Sequence, residues 1–82
     1  MSSRISDGAT LRKTRLFDLV RRIQELHGCT TQEIQGFMLA LHGLKFETTT
    51  KLLHEAFLAG LIVEEDGKWY LSDKGSLMMF RT

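Results

Sequence analysis

The sequence predicts a mainly α-helical domain with one small β-hairpin, ordered helix, helix, helix, two-stranded hairpin, short helix. Three observations carry that expectation. Apolar residues recur at helical spacing through three successive segments, and the first two close on the same tripeptide, Leu26-His27-Gly28 and Leu41-His42-Gly43. The stretch LIVEEDGKWYL at residues 61–71 runs apolar, turns at Asp66-Gly67 and returns through two aromatics. Ser72 then stands where a last helix would be capped.

Helix 1 is expected over about residues 9–27, after a flexible N-terminal arm at residues 1–8; residues 9–82 form the folded domain. Leu16, Phe17, Val20, Ile23 and Leu26 make its apolar face, with Arg15, Asp18, Arg22 and Glu25 on the other side. Asp18 with Arg22, and Arg21 with Glu25, have the spacing for ion pairs along a helix. Gly28 tolerates a left-handed backbone and serves as the stop.

Helix 2 begins with Thr30 as N-cap. Glu33 falls at the third helical position, where each side chain can satisfy the other's free backbone N–H. Ile34, Phe37, Met38 and Leu41 form one stripe, and His42-Gly43 closes it. A histidine at a helix C-terminus has favourable contact with free carbonyls, which accounts for the repeated tripeptide. His27, His42 and Cys29 lack tight ligand spacing, so neither a metal nor a cofactor is expected. Leu44-Lys45-Phe46 fits a very short strand or a plain turn.

Helix 3 is expected over about residues 47–59. Thr49, Leu53, Ala56 and Gly60 share one side, flanked by Leu52 and Phe57. The opposite side holds Glu47, Lys51, His54, Glu55 and Leu58, with Thr48 and Thr50 at its edges. A two-residue Asp-Gly loop sets Glu65 opposite Lys68, Glu64 opposite Trp69, Val63 opposite Tyr70 and Ile62 opposite Leu71. Ile62 and Leu71 then face the core, with Glu64 and Trp69 on the same face of the hairpin. The last helix starts at Asp73 and carries Leu77, Met78 and Phe80 as its apolar residues.

The net charge of +1 conceals an uneven distribution. Residues 1–22 hold six basic against two acidic residues, while residues 23–60 and 61–82 are each slightly acidic. That excess fits either a localised anionic partner or a solvated helix face with its own ion pairs. No apolar run approaches the roughly 18–20 residues of a membrane span, and the N-terminal residues lack a signal-peptide core. A cytoplasmic protein without membrane association is expected, and the lone Cys29 agrees with that. No phosphate loop, activated nucleophile or paired catalytic carboxylates are present, so an enzyme is not expected.

Leu53 to Ala56, then Gly60-Leu61-Ile62, Asp66-Gly67-Lys68-Trp69-Tyr70-Leu71 and Ser72-Asp73-Lys74-Gly75 carry a resemblance. In this order and spacing the chain resembles the winged-helix family of DNA-binding proteins, most of all small archaeal regulators and chromatin proteins. The likeness spans about residues 11–80. It implies a winged helix-turn-helix with a three-helix core, a two-stranded wing and a short C-terminal helix.

The same resemblance implies a small transcriptional regulator that binds double-stranded DNA with helix 3 in the major groove. Its probing residues would be Thr48, Thr50, Lys51 and His54, with Lys45 just before the helix. Arg12, Lys13 and Arg15 would add backbone contacts from helix 1, and Lys68 one from the wing. Glu64, Glu65 and Asp66 make the wing tip acidic, and Lys68 can be occupied by Glu65. The alternative is a protein-interaction module in a larger assembly. A homodimer through Leu58 or through Met79 and Phe80 is also expected, the competing reading being packing within the chain.

Overall fold

The ends of the helices fix the order of the elements. The computed structural model describes the backbone of residues 7–81 and the side chains of residues 12–80. It runs α1 (Asp7–Leu26), α2 (Thr31–His42), α3 (Phe46–Leu58), β1 (Ile62–Glu65), β2 (Lys68–Leu71) and α4 (Asp73–Arg81). Residues 1–6 of the expected arm lie outside the described residues, and α1 is already formed at Asp7 rather than residue 9.

α1 stops one residue earlier than expected. His27 itself takes the left-handed conformation (φ 55°), with N–H bonds from His27 to the Gln24 carbonyl and from Gly28 to the Ile23 carbonyl. α2 has both halves of the anticipated capping box: Thr30 Oγ1 accepts the Glu33 N–H at 3.2 Å, and Glu33 Oε1 accepts the Thr30 N–H at 2.8 Å. Gly43 closes it in the left-handed region. Leu44 and Lys45 form a turn, not a strand, and Lys45 precedes α3 with no side-chain cap. α3 ends where Gly60 (φ 80°) lets the Leu61 N–H reach the Ala56 carbonyl at 2.9 Å.

The hairpin has the expected antiparallel register, Ile62 against Leu71 through Glu65 against Lys68. Asp66 and Gly67 both have positive φ, as a tight primed turn needs. One further pairing is not visible in the sequence. Cys29 and Trp69 exchange backbone hydrogen bonds of 3.0 and 2.7 Å, which adds a one-residue edge strand to β2.

The fully buried core draws on every element but β2 and α4, whose half-buried Trp69, Leu71, Met78 and Met79 pack against it. Leu19, Val20 and Ile23 from α1 meet Ile34 and Met38 from α2, and Leu52, Leu53 and Ala56 from α3. Leu44, Leu61, Ile62 and Cys29 close it from the connections and β1. Three expected core residues sit differently: Leu41 is 53% exposed, Leu26 is 38% exposed and Phe17 is half-buried. Leu44 and Leu19 occupy the interior instead, because the α2 turn folds Leu44 back under the helix and α1 is rotated toward Leu19.

That rotation also changes the polar side of α1. Asp18 bonds His42 across to α2, with Oδ2 and Nε2 2.8 Å apart, so the Asp18–Arg22 pair does not form. Arg22 lies over the Phe37 ring at 4.9 Å and reaches Glu25, while the expected Arg21–Glu25 pair is present at 3.6 Å. α1 is covered by α2, α3, α4 and β2, so its charged side is partly an interface rather than wholly solvent-facing.

Ser72 begins α4 as expected, its Oγ accepting the Gly75 N–H at 3.0 Å. A Cβ at Gly75 would run into the Leu61 carbonyl oxygen and the Leu71 side chain. Gly75→Ala should therefore destabilise the protein by about 1–3 kcal/mol, although alanine is the better helix former. Gly36, exposed in α2 with open space around its Cβ position, provides the contrast. Gly36→Ala should stabilise by about 0.5–1 kcal/mol, so the two urea midpoints should move in opposite directions.

Candidate nucleic-acid interface

The exposed face of α3 is set by what its other face buries. Thr49, Leu52, Leu53 and Ala56 point into the core. At about 100° per residue this turns Glu47, Lys51, His54 and Leu58 outward as one ridge, and all four are exposed. Among the described residues neither Lys51 nor His54 takes part in an ion pair. Thr48 is half-buried on the flank that also carries Glu55.

Thr50 is less free than the sequence suggests. Its hydroxyl donates to the Phe46 carbonyl at 3.0 Å and accepts from Gln35 Nε2 at 3.1 Å. The Gln35 contact fastens α2 to α3 at the edge of the ridge, leaving one acceptor site for another partner. Just before α3, Lys45 is exposed. The first N–H groups of the helix have no side-chain cap and so retain their attraction for an anion.

The basic residues expected to extend this surface are dispersed. Arg12 bridges to Glu55 of α3 at 3.1 Å, which ties its charge to an acid beside the ridge. Lys13 is exposed. Arg15 is half-buried, with a buried Nε that meets no hydrogen-bond partner. Lys68 stands on β2 opposite Glu65 without an ion pair within 4 Å among the described residues, and the hairpin tip exposes Glu64, Glu65 and Asp66. The structure thus gathers Lys45, Thr50, Lys51 and His54 on or beside α3 and leaves Lys13, Arg15 and Lys68 apart.

Trp69 has a larger part than its place in the hairpin implied. Its Nε1–H donates to Thr31 Oγ1 at 2.9 Å, and its ring meets Phe57 edge-on at a centroid distance of 6.1 Å. Together with the Cys29 pairing, this joins β2 to the first turn of α2 and the last turn of α3. Gln35 and Thr31 are polar residues that nothing in the sequence singles out. Both partners lie far along the chain, and only helical spacing on α2 could have hinted at them.

Cys29 is fully buried, and burial pushes its thiol up from 9.0 to about 11, with Glu33 adding to the rise and Arg22 opposing it. It is a packing residue with little nucleophilic character at neutral pH. Among the described residues no three His, Cys, Asp or Glu side chains converge as metal donors, and no helix is long and apolar enough to cross a membrane. No family model matches this chain, and neither a curated protein nor a solved structure shows significant similarity to it.

Thr49 is fully buried with a hydroxyl that finds no hydrogen-bond partner. Thr49→Val should remove that desolvated group and stabilise the fold by about 1–3 kcal/mol, read from the urea midpoint. Cys29 predicts a pH dependence. Its folded pKa is raised, so its contribution is complete below about pH 9 and is lost as pH rises through about 11. Denaturant titrations across that range should show the decline, and Cys29→Ala should flatten it.

Proposed function

We propose that this chain is a winged-helix protein that binds double-stranded DNA, with α3 laid in the major groove. The outward ridge of α3 carries this reading. Lys51 and His54 stand exposed and, among the described residues, free of ion pairs, on a helix whose opposite face is occupied by the core. Supporting features are the Gln35–Thr50 bond that holds α2 against α3, and the hairpin that packs beside α3 through Trp69 and Phe57.

In this arrangement Lys51 meets a phosphate or a base edge, and His54 follows one turn later. Lys45 and the uncapped start of α3 receive a backbone phosphate. The remaining acceptor position on Thr50, and the Thr48 side chain, lie close enough to the groove to add short-range contacts. Lys13 and Lys68 add outlying charge, while the acidic tip of the hairpin keeps the wing from gripping the backbone. Arg12 is held by Glu55, an exposed pair whose worth is only about 0–1 kcal/mol, so a phosphate can replace the carboxylate at little cost.

A salt titration of duplex binding by fluorescence anisotropy tests the reading. Lys13, Lys45, Lys51, Lys68 and the released Arg12 are five cations, which gives an expected log–log slope on the order of −4 to −5. Lys51→Ala should weaken binding and make that slope shallower by about 1, whereas Glu64→Ala should not weaken it. Glu55→Gln, which frees Arg12, should strengthen binding. The absence of binding to any duplex at low salt would reject the proposal. A protein-interaction module would then be the better reading, favoured by the acidic hairpin tip and by the exposed apolar side chains of Leu58 (70%) and Val63 (43%).

A further inference from the structure

A threonine hydroxyl has one proton to give and two lone pairs with which to receive. At Thr50 the proton goes to the Phe46 carbonyl, one turn back in α3, at 3.0 Å. Gln35 Nε2, reaching over from α2, occupies one lone pair at 3.1 Å. Turning the Gln35 amide over would not release the proton, because the amide oxygen would then compete with Phe46 for it. In either arrangement the proton stays within the chain. The oxygen nevertheless faces solvent: Thr50 is exposed, and among the described residues no third group bonds it.

The place of Thr50 on the helix gives that remaining lone pair a use. At about 100° per residue it lies between buried Thr49 and the outward ridge, with His54 one turn further along the same side. It belongs to the first half of α3, the part of a recognition helix that reaches base edges. Lys51 is a cation that any phosphate or acceptor edge satisfies, and the His54 ring presents a donor or an acceptor according to its tautomer. The polarity of Thr50 is instead fixed by the protein.

A group that can only receive has nothing to offer a phosphate, whose oxygens are acceptors too. In the major groove its partners are the N6 amino group of adenine and the N4 amino group of cytosine. Guanine O6, thymine O4 and the purine N7 atoms are acceptors and repel it. We propose that Thr50, held as an acceptor by Phe46 and Gln35, selects an amino base (adenine or cytosine) over a keto base (guanine or thymine) at one position of the bound duplex. This rests on the DNA-binding reading above and adds to it the class of base that α3 prefers. Each base pair has an amino base on one strand and a keto base on the other. Thr50 therefore distinguishes the two orientations of a pair, not A·T from G·C. To accept a keto base the hydroxyl must abandon Phe46, so the preference is worth one neutral hydrogen bond, roughly 3–10-fold in affinity.

Selection from duplexes with a randomised stretch, with the bound fraction sequenced, tests this. One position should favour adenine and cytosine over guanine and thymine by roughly 3–10-fold. Thr50→Val should abolish that preference and Thr50→Ser should keep it, with preferences at other positions unchanged. An atomic substitution in the DNA makes the same test on the unaltered protein. Unsubstituted purine in place of the adenine lacks only the amino group, and should weaken binding by a similar factor while leaving Thr50→Val indifferent. Duplex binding without an amino preference that depends on Thr50, or with a Thr50-dependent preference for keto bases, would overturn this inference and leave the DNA-binding reading standing. Failure to bind any duplex would overturn both.

Discussion

The Leu61 carbonyl accepts the Ser72 N–H at 3.0 Å, one residue after Gly60 has turned the chain out of α3. Ser72 Oγ donates to the Gly60 carbonyl at the same place, and Gly75 brings the backbone of α4 against Leu61. The end of α3, the two open ends of the hairpin and the start of α4 are thereby joined within a few residues. Two strands of four residues would be marginal alone. Here their open end is tied to α3, and Ile62 is sealed into the core.

From that joint the hairpin extends across the molecule and is tied a second time. Trp69 pairs with Cys29 through the backbone, donates to Thr31 through its indole and rests against Phe57. One strand residue therefore holds the α1–α2 connection, the start of α2 and the end of α3 in register. Tyr70 leans on Gly28, where a Cβ would collide with its ring. The positive φ at His27 and Gly28 is what allows the chain to pass beneath the strand.

These ties also take polar groups out of solvent-facing service. Thr50 gives its hydroxyl to Phe46 and Gln35, Asp18 takes His42, Arg22 covers Phe37, and Arg12 holds Glu55. The basic excess of the first 22 residues is therefore spread over several local partners. What remains outward on α3 is a short ridge of modest charge. Exposed pairs such as Arg12–Glu55 contribute little to stability, so they restrain those charges only weakly.

Features governed by contacts a few residues apart were legible in the sequence. Thr30 and Glu33 specify the start of α2, Asp66-Gly67 specifies the hairpin register, and the spacing of Thr49, Leu53 and Ala56 specifies the inner face of α3. Leu44 beneath α2, Asp18 against His42, Gln35 against Thr50 and Trp69 against Thr31 were not legible. Those three polar pairs lie 24, 15 and 38 residues apart. Periodicity determines which side of a helix is apolar, but not how far the helix rotates when several neighbours press on it. The sequence by itself determined the elements and which residues α3 turns outward. Only tertiary packing decided which of those residues keep their polar groups free, because the partners that bind them arrive from distant segments.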